Sequence, residues 1–401
     1  MSKIAVGIDI GTYQVKVVVT EMNNTASSMP KIIGVGYAES KGLRHGYIIN
    51  QTDAIRSIRK AAHQAEKSAG VKIERAYISV GGIGLSNISS SGNIMISRAD
   101  NEINELDVEK VSKEAQDNIP KNIIQNKQII HSIPLRYKVD GKEIYGRSPV
   151  GMKGVKLELE NLYITCLSHH IQELIKAVES AGIEIADVMA APLAAGIVTL
   201  SKTEKIAGCI LANIGSETVS IVVYEDDIPV SLEVFPIGSN DITNDIALGL
   251  KVSLDKAEKI KRKNDSSFEE EVPQKKLDQI VTARLSDIFE LIDAHLKKIN
   301  KSGLLPAGII ITGGGSDIFD IEDLARASLN LPSKVVNITG CSEEGQRNEV
   351  KIKDATWSVA YGLCVFGIHS DDGGSTPIRL GRQIFKNISK KTTGFFKKFL
   401  P

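Results

Sequence analysis

The chain has 401 residues, 49 basic and 49 acidic, with 42% hydrophobic and 24% charged side chains. That length supports two cores, and that balance excludes a chain dominated by disorder. No run approaches the ~20 apolar residues a bilayer-spanning helix needs. The opening MSKIAVGIDIG reads as a strand running into a turn rather than as a signal peptide. Cys166, Cys209, Cys341 and Cys364 are far apart, lie mostly in apolar runs and form no CxxC. They read as reduced core thiols of a cytosolic protein, with no zinc site expected.

Residues 8–21, IDIGTYQVKVVVTE, join a polar glycine turn to a valine-rich run, the pattern of a buried β-hairpin whose tip exposes backbone N–H groups. The unit recurs. Residues 212–225, ANIGSETVSIVVYE, align with it without a gap at an offset of 204, and Ile10, Gly11, Val15, Val18, Val19 and Glu21 each meet an identical residue. Two such tips facing each other across a cleft would grip a nucleotide's phosphates from both sides.

Thr52 to Ala69 places Ile55, Ile58, Ala62, Ala65 and Ala69 on one face and stops at Gly70, which predicts a capped helix; a strand over Ala76 to Val80 follows. Residues 84–162 read as an inserted α+β unit, with a polar helix around Leu106 to Asn118, an extended run Gln128 to Val139, the turn Asp140-Gly141 and a strand near Val155 to Thr165. A helix over His170 to Ala181 ends at Gly182, and the His169-His170 pair that opens it reads as a capping or surface pair, not a metal site. Ala190 to Gly196 and Asp354 to Leu363 are small-residue segments suited to two helices that cross closely between lobes.

In the second half, Gly238 falls in a turn, a helix starts near Asn240, and Glu258 and Lys261 lie three apart on one helical face. That pair can hydrogen-bond a ribose and an adenine edge, or form an exposed salt bridge. Lys275, Lys276 and Arg284 precede or begin a helix over Arg284 to Ile299 and are candidates to meet an acidic peptide, an ordinary solvated face being the alternative. Gly308 to Asp317, GIIITGGGSD, is a buried-strand run ending in three glycines, where side chains would block a flat ligand.

The neutral total hides an asymmetry. Residues 376–401 carry seven basic side chains and no acidic one, leaving 42 basic against 49 acidic elsewhere. Ser370 to Pro377, SDDGGSTP, reads as a linker. Beyond it Ile384, Phe385, Ile388, Phe395, Phe396, Phe399 and Leu400 recur at helical spacings, leaving Arg382, Lys386, Lys397 and Lys398 for the other face. This is an interfacial amphipathic helix pattern for anionic lipid. At about 1 kcal/mol per cation near an anionic surface, one tail would bind reversibly and an array firmly. A helix docked on the body, a calmodulin-type target or a nucleic-acid arm share the charge pattern. The phenylalanines favour lipid, and no nucleic-acid partner is expected.

IDIGT at Ile8, IIGVGYAESKGLRHGYIIN at Ile32, HSIPLRYKVDG at His131, SPVGMKGVKLELENLYITC at Ser148, SNDITNDIA at Ser239, AGIIITGGGSD at Ala307 and the basic amphipathic C-terminus together resemble, in order, the bacterial cell-division FtsA family. The family lies in the actin, sugar-kinase and heat-shock chaperone superfamily. The resemblance implies an α/β, actin-like two-lobed ATPase fold with an FtsA-type subdomain 1C insertion and a C-terminal amphipathic helix. Residues 1–83 and 163–194 would form subdomain 1A and 84–162 the inserted 1C. Residues 195–369 would form the second lobe, with a 2B insertion near 240–305 and a crossing helix near 354–363 that returns to the first lobe. Residues 370–377 would be the linker and 378–401 the membrane-targeting helix.

The resemblance further implies ATP and Mg2+ between the lobes. The residues concerned are Asp9, Gly11, Thr12, Tyr13, Gln14, Asn213, Gly215, Ser216, Glu217, Thr218, Gly238, Asn240, Glu258, Lys261, Gly313, Gly314, Gly315 and Ser316, with Asp9 reaching the metal through water. It implies a protein that polymerises on the cytoplasmic side of the cell membrane at the division site, tethers the C-terminal peptide of tubulin-like FtsZ, and meets other divisome proteins through 1C. An FtsA-like pilus-assembly adaptor, or a small-molecule kinase of the superfamily, is the alternative. The adaptor would normally lack the terminal helix, and a kinase would need a catalytic base and a sugar pocket in the cleft but not the tail, so the tail argues against both; no His, Cys or Ser nucleophile stands out.

Three positions depart from the family pattern. Asn213 replaces an aspartate, Glu217 stands where glycine would let the backbone approach phosphate, and Gln14 replaces a lysine, removing one counter-charge. Either Glu217 reaches the metal in place of the missing acid, or the site binds nucleotide with little or no hydrolysis. The second reading is preferred, with weak or absent ATPase activity expected.

Overall fold

The computed structural model describes residues 3–22, 29–144, 148–262, 273–336 and 355–371. Strands β1 (Lys3–Ile10), β2 (Gln14–Met22) and β3 (Lys31–Glu39) form an antiparallel meander, because β-branched residues packed on both faces favour extended chain. A two-stranded strap, β4 (Leu43–Arg44) and β5 (Tyr47–Ile48), leads into α1 (Gln51–Ala69). The side chain of Asn50 caps α1 by accepting from the Asp53 N–H, and Gly70 ends it at φ 70°. β6 (Arg75–Val80) returns parallel to β1.

The next segment builds a separate sheet from β7 (Leu85–Met95), α2 (Glu105–Asp117), α3 (Lys121–Ile124), β8 (Lys127–Val139), β9 (Lys142–Ile144) and β10 (Lys156–Leu167), in the order β7-β10-β8-β9. Asp140 and Gly141 turn β8 into β9 at φ 51° and 78°, the left-handed pair a tight hairpin needs. Buried Ile96, Ile103, Val111, Leu157 and Leu159 give this unit its own small core.

α4 (Ser168–Ser180) and β11 (Glu184–Ala190) complete the first sheet, ordered β11-β6-β1-β2-β3. α5 (Ala191–Thr199) and α6 (Lys202–Ala207) lead to the second lobe. There the chain forms β12 (Cys209–Ile214), β13 (Val219–Glu225), β14 (Ile228–Phe235), α7 (Ser239–Leu250), α8 (Leu254–Lys261), α9 (Gln274–Lys298), β15 (Gly308–Thr312), α10 (Ile321–Leu329) and β16 (Ser333–Val335), after which α11 (Ser358–Asp371) packs back on α5, β1, β2 and β6, outside that lobe. Its sheet is ordered β14-β13-β12-β15-β16. Read from the other edge, the first sheet has the same layout, so the repeated hairpin belongs to a repeated sheet. Registers repeat too: Asp9 faces Lys16, and Asn213 faces Ser220.

α5 and α11 cross at backbone contact. A Cβ on Gly362 would lie 1.9 Å from the Ala194 carbonyl oxygen, and one on Gly7 would lie 2.1 Å from that of Ala360. One core joins both sheets and the inserted unit through Ile8, Ile78, Leu162, Leu211 and Leu232; a second lies under α7, α9 and α10.

Some expectations change. α9 begins at Gln274, not near Arg284, so Lys275 and Lys276 lie inside its first turn. The linker expected from Ser370 starts within α11, which runs to Asp371. His170 is buried rather than a surface residue, because it shares a face of α4 with Leu174 and Val178. Cys166, Cys209 and Cys364 are buried free thiols. Cys341 and the amphipathic tail with its candidate residues 382–400 lie outside the described residues. Among the described residues no helix is long and apolar enough to cross a membrane.

Candidate functional site

A cavity of about 830 Å³ lies between the lobes. The first tip contributes Asp9, Gly11, Thr12, Tyr13 and Gln14, and the second Asn213, Gly215, Ser216, Glu217 and Thr218. Asn240, Glu258, Lys261, Gly313, Gly314 and Gly315 complete the wall foreseen from sequence. Both tips close alike: Gly11 N–H donates to the Gln14 carbonyl at 3.2 Å, and Gly215 N–H to that of Thr218 at 2.8 Å. In each, a Cβ would sit 2.9 Å from that same carbonyl oxygen, which is why both turns carry glycine.

Two expected wall residues are supports instead. Gly238 lies behind the second tip, where a Cβ would meet the Ser216 carbonyl oxygen at 2.5 Å. Ser316 is buried and its hydroxyl donates to the Gly313 carbonyl at 2.7 Å, which fixes the glycine loop.

The first hairpin sets an acid and a base opposite each other, Asp9 and Lys16. The Asp9 carboxylate is partly buried in the cavity wall and accepts from the Ser79 hydroxyl at 2.8 Å. Burial raises its pKa above the ordinary carboxyl value, against the opposing pull of Lys16 and Ser79. The Lys16 ammonium donates to the Thr356 carbonyl at 2.8 Å and stands 6.0 Å over the Trp357 ring. Lys16 lines the cavity two residues on from Gln14 and on the same strand face, so the wall carries an ammonium beside that position. Strand periodicity carried that signal.

On α8, the Glu258 carboxylate accepts from Lys261 Nζ at 2.7 Å, Thr243 Oγ1 at 2.6 Å and Arg262 Nε at 2.6 Å. Burial disfavours its charged form, but these donors outweigh it and hold the carboxyl below its usual range. The Lys261 side chain is only 8% exposed, so the pair is part of the cavity wall and not a surface salt bridge. Arg284 forks onto Asp245 at 2.6 and 3.1 Å, tying α9 to α7, while Lys275 and Lys276 are exposed.

Two contacts cross the cleft, and sequence gave no sign of either. Arg262 Nη2 donates to the Tyr13 hydroxyl at 3.3 Å, and its guanidinium carbon stands 5.6 Å from that ring's centroid. The strap meets both tips: His45 N–H donates to Glu217 Oε2 at 2.6 Å, and Gly46 N–H to Thr12 Oγ1 at 3.0 Å. Behind the strap, His170 Nε2 lies 3.1 Å from the Gly81 carbonyl, with its ring 4.7 Å from that of Tyr47. Wall residues missed from sequence therefore include Lys16, Arg44, His45, Gly46, Ser79, Gly81, Gly82, Arg262 and Thr356.

Two duplicated sheets, two facing hairpin tips and a pair of crossing helices define an actin-like, two-lobed ATPase fold. A family profile described as "SHS2 domain inserted in FTSA" matches residues 84–165, and one for "Cell division protein FtsA" matches residues 210–362. The cell division protein FtsA of Borreliella burgdorferi is 31% identical, covering 98% of each chain. That of Bacillus subtilis is 31% identical over 91% of this chain and 83% of its own. Among solved structures, a PilM-PilN type IV pilus biogenesis complex shares the fold with a TM-score of 0.64 at 17% identity, covering 91% of this chain and 98% of that one. MreB5 of Spiroplasma citri bound to ADP does so with 0.54 at 12%, covering 93% and 99%. This chain belongs to the FtsA cell division protein family.

Proposed function

We propose that the chain binds ATP with Mg2+ between its lobes, polymerises on the cytoplasmic face of the membrane at the division site, and tethers FtsZ there. The cleft carries this reading. Its volume suits a nucleotide, and its wall sets two glycine-closed hairpin tips around an ammonium and a partly buried carboxylate that face each other across paired strands. Lys16 would meet phosphate charge, Asp9 would hold a metal-bound water, and the tips' N–H groups would cradle the phosphates. The Glu258–Lys261 pair would grip the ribose and base edge. When bound, Mg2+ would offset phosphate charge. Asn213 at the second tip, and Glu217 already engaged by His45, support a site that holds nucleotide with weak or absent hydrolysis. Clamping of the lobes about α5 and α11 would set the polymer interface, and the inserted unit would receive other divisome proteins.

The FtsZ peptide would dock on the outer part of the second lobe, where Lys275 and Lys276 remain candidates; Arg284 is already held by Asp245. The basic amphipathic tail would supply the lipid contact that a pilus adaptor or small-molecule kinase would not need. Negative-stain microscopy on an anionic lipid monolayer, with and without Mg-ATP, tests the reading. Filaments are expected with the full chain and not with a chain ending at Gly374. Filaments that persist without residues 375–401 would refute the membrane role of the tail.

A further inference from the structure

Glu217 is the departure that neither the fold nor the proposed activity explains. Under the offset of the repeat it is the counterpart of Tyr13, and each of these residues reaches from its own tip to the opposite lobe. The partner of Glu217 is unusual. His45 and Gly46, at φ 48° and 85°, form the two-residue turn of the strap hairpin. Their amides sit outside the β4–β5 ladder and donate into the cleft, one to the Glu217 carboxylate and the other to the Thr12 hydroxyl. His45 Nδ1 adds a contact to the Glu217 backbone carbonyl at 3.2 Å and lies 3.9 Å from its carboxylate. A main-chain amide on a two-residue turn, set between two phosphate-type tips, is itself an anion donor. Here an internal carboxylate takes it.

We propose that the Glu217 carboxylate and the terminal phosphate of a bound nucleoside triphosphate compete for the strap amide of His45. The argument rests on the nucleotide reading of the cleft. With Glu258 and Lys261 at the base and ribose end, the phosphate chain runs between the tips toward the strap, and its outermost phosphate is the one that meets His45. Both competitors are anionic acceptors, so they cannot share one N–H at close range without mutual repulsion. A triphosphate must displace Glu217; a diphosphate stops short of it. Glu217 therefore sets the balance between ATP and ADP, and its release by ATP frees the strap from the second tip. A glycine at this position would give up that discrimination.

The test is calorimetric titration of the full chain and of Glu217→Gln and Glu217→Gly with Mg-ATP and with Mg-ADP, each variant first shown to unfold at a thermal midpoint close to that of the parent. Glutamine keeps the shape and a neutral acceptor; glycine removes the competitor. Mg-ATP affinity should rise about tenfold in Glu217→Gly, or 1.4 kcal/mol, and by less in Glu217→Gln. Mg-ADP affinity should change by no more than about twofold. Equal shifts for the two nucleotides would assign Glu217 to holding the lobes together, and a fall in ATP affinity would assign it to the metal; either result, or no change, overturns the proposal. Binding by the parent with an unaltered ATP-to-ADP ratio in the variants sinks this inference alone. No binding of either nucleotide to any of the three chains refutes the nucleotide reading with it.

Discussion

Replacing Gly362 by alanine separates two physical effects that have opposite signs. Gly362 lies inside α11, and by intrinsic propensity alone alanine there stabilises a helix by about 1 kcal/mol. The crossing opposes this. The added Cβ would stand 1.9 Å from the Ala194 carbonyl oxygen and 2.6 Å from its carbon, and these are backbone atoms of α5 that no rotamer change can move. Relief requires the two helices to part by about 1 Å, and overpacking of this kind costs about 1–3 kcal/mol. With the obstacle in the main chain the upper part of that range applies, and Gly362→Ala should be net destabilised by about 1–2 kcal/mol. The assay is urea unfolding followed by far-ultraviolet circular dichroism, read as a lower midpoint at unchanged slope. Because α11 starts beside Thr356, whose carbonyl accepts from Lys16, the same change should weaken Mg-ATP binding. A midpoint equal to or above that of the parent would refute the close crossing, since propensity would then be acting alone.

Lys16→Ala should lower Mg-ATP affinity about tenfold or more, the loss of one charge-assisted contact, in a titration followed by the fluorescence of Trp357, the single tryptophan, 6.0 Å from the ammonium; unchanged affinity would remove Lys16 from the phosphate site. Asp9 has its carboxyl raised by burial, so its favourable contribution is complete below the ordinary value of 3.8 and is lost as pH rises through the folded value. Asp9→Asn should therefore raise the thermal midpoint at neutral pH without nucleotide while weakening Mg2+-dependent binding, and a lower midpoint would contradict this. His131 is buried with its Nε2 accepting from the Ala190 N–H at 3.0 Å, and burial pushes its pKa down to about 3. Only the unfolded chain takes up that proton between pH 6.5 and about 3, so stability should fall by up to roughly 2 kcal/mol from pH 6.5 to pH 5. Replacing His131 by glutamine should flatten that slope in paired pH-dependent urea curves, and an equally steep slope would exclude His131 as its source.

The hairpin tips were legible because each needs a glycine to turn so tightly and valines to bury both strands, constraints that leave few sequence solutions. The repeat of the whole sheet was not legible, since β3 and β14, or β6 and β15, share a place in the sheet without sharing residues. The strap escaped notice because strands of two residues carry no periodicity. Lys16 sits inside the valine-rich run that marks a buried strand, and only strand alternation, which puts it on one face with Gln14, points it at the cleft. His170 was hidden by its polarity: the spacing to Leu174 and Val178 marks a buried face, but a histidine beside His169 reads as surface until its partner, the Gly81 carbonyl, is known. Cross-lobe contacts such as Tyr13 with Arg262 depend on how two separately folded units approach, which no local pattern encodes.

The repeat and its breakage together explain how one site gains direction. Identical turns give both tips the same geometry, yet at the register position behind each turn the first lobe places a carboxylate opposite an ammonium, Asp9 and Lys16, while the second places an amide opposite a hydroxyl, Asn213 and Ser220. Behind the tips, therefore, only the first lobe sets an ammonium beside the cleft, and the charges of the second lobe stand at Glu217 and on α8 instead. The acid missing from behind the second turn is not lost from the lobe, because Glu217 carries a carboxylate at the tip itself, where it faces the first lobe and the strap takes it. Moving a negative charge from the strand behind the turn to the tip itself turns a group that could order a metal into one that can be displaced. The second lobe thus meets the first through a contact that an incoming anion can break, whereas α5 and α11 meet at backbone distance and stay. The strap contact is then a latch and the crossing of α5 and α11 a hinge, while the shared core and the Arg262–Tyr13 contact keep the lobes joined when the latch opens.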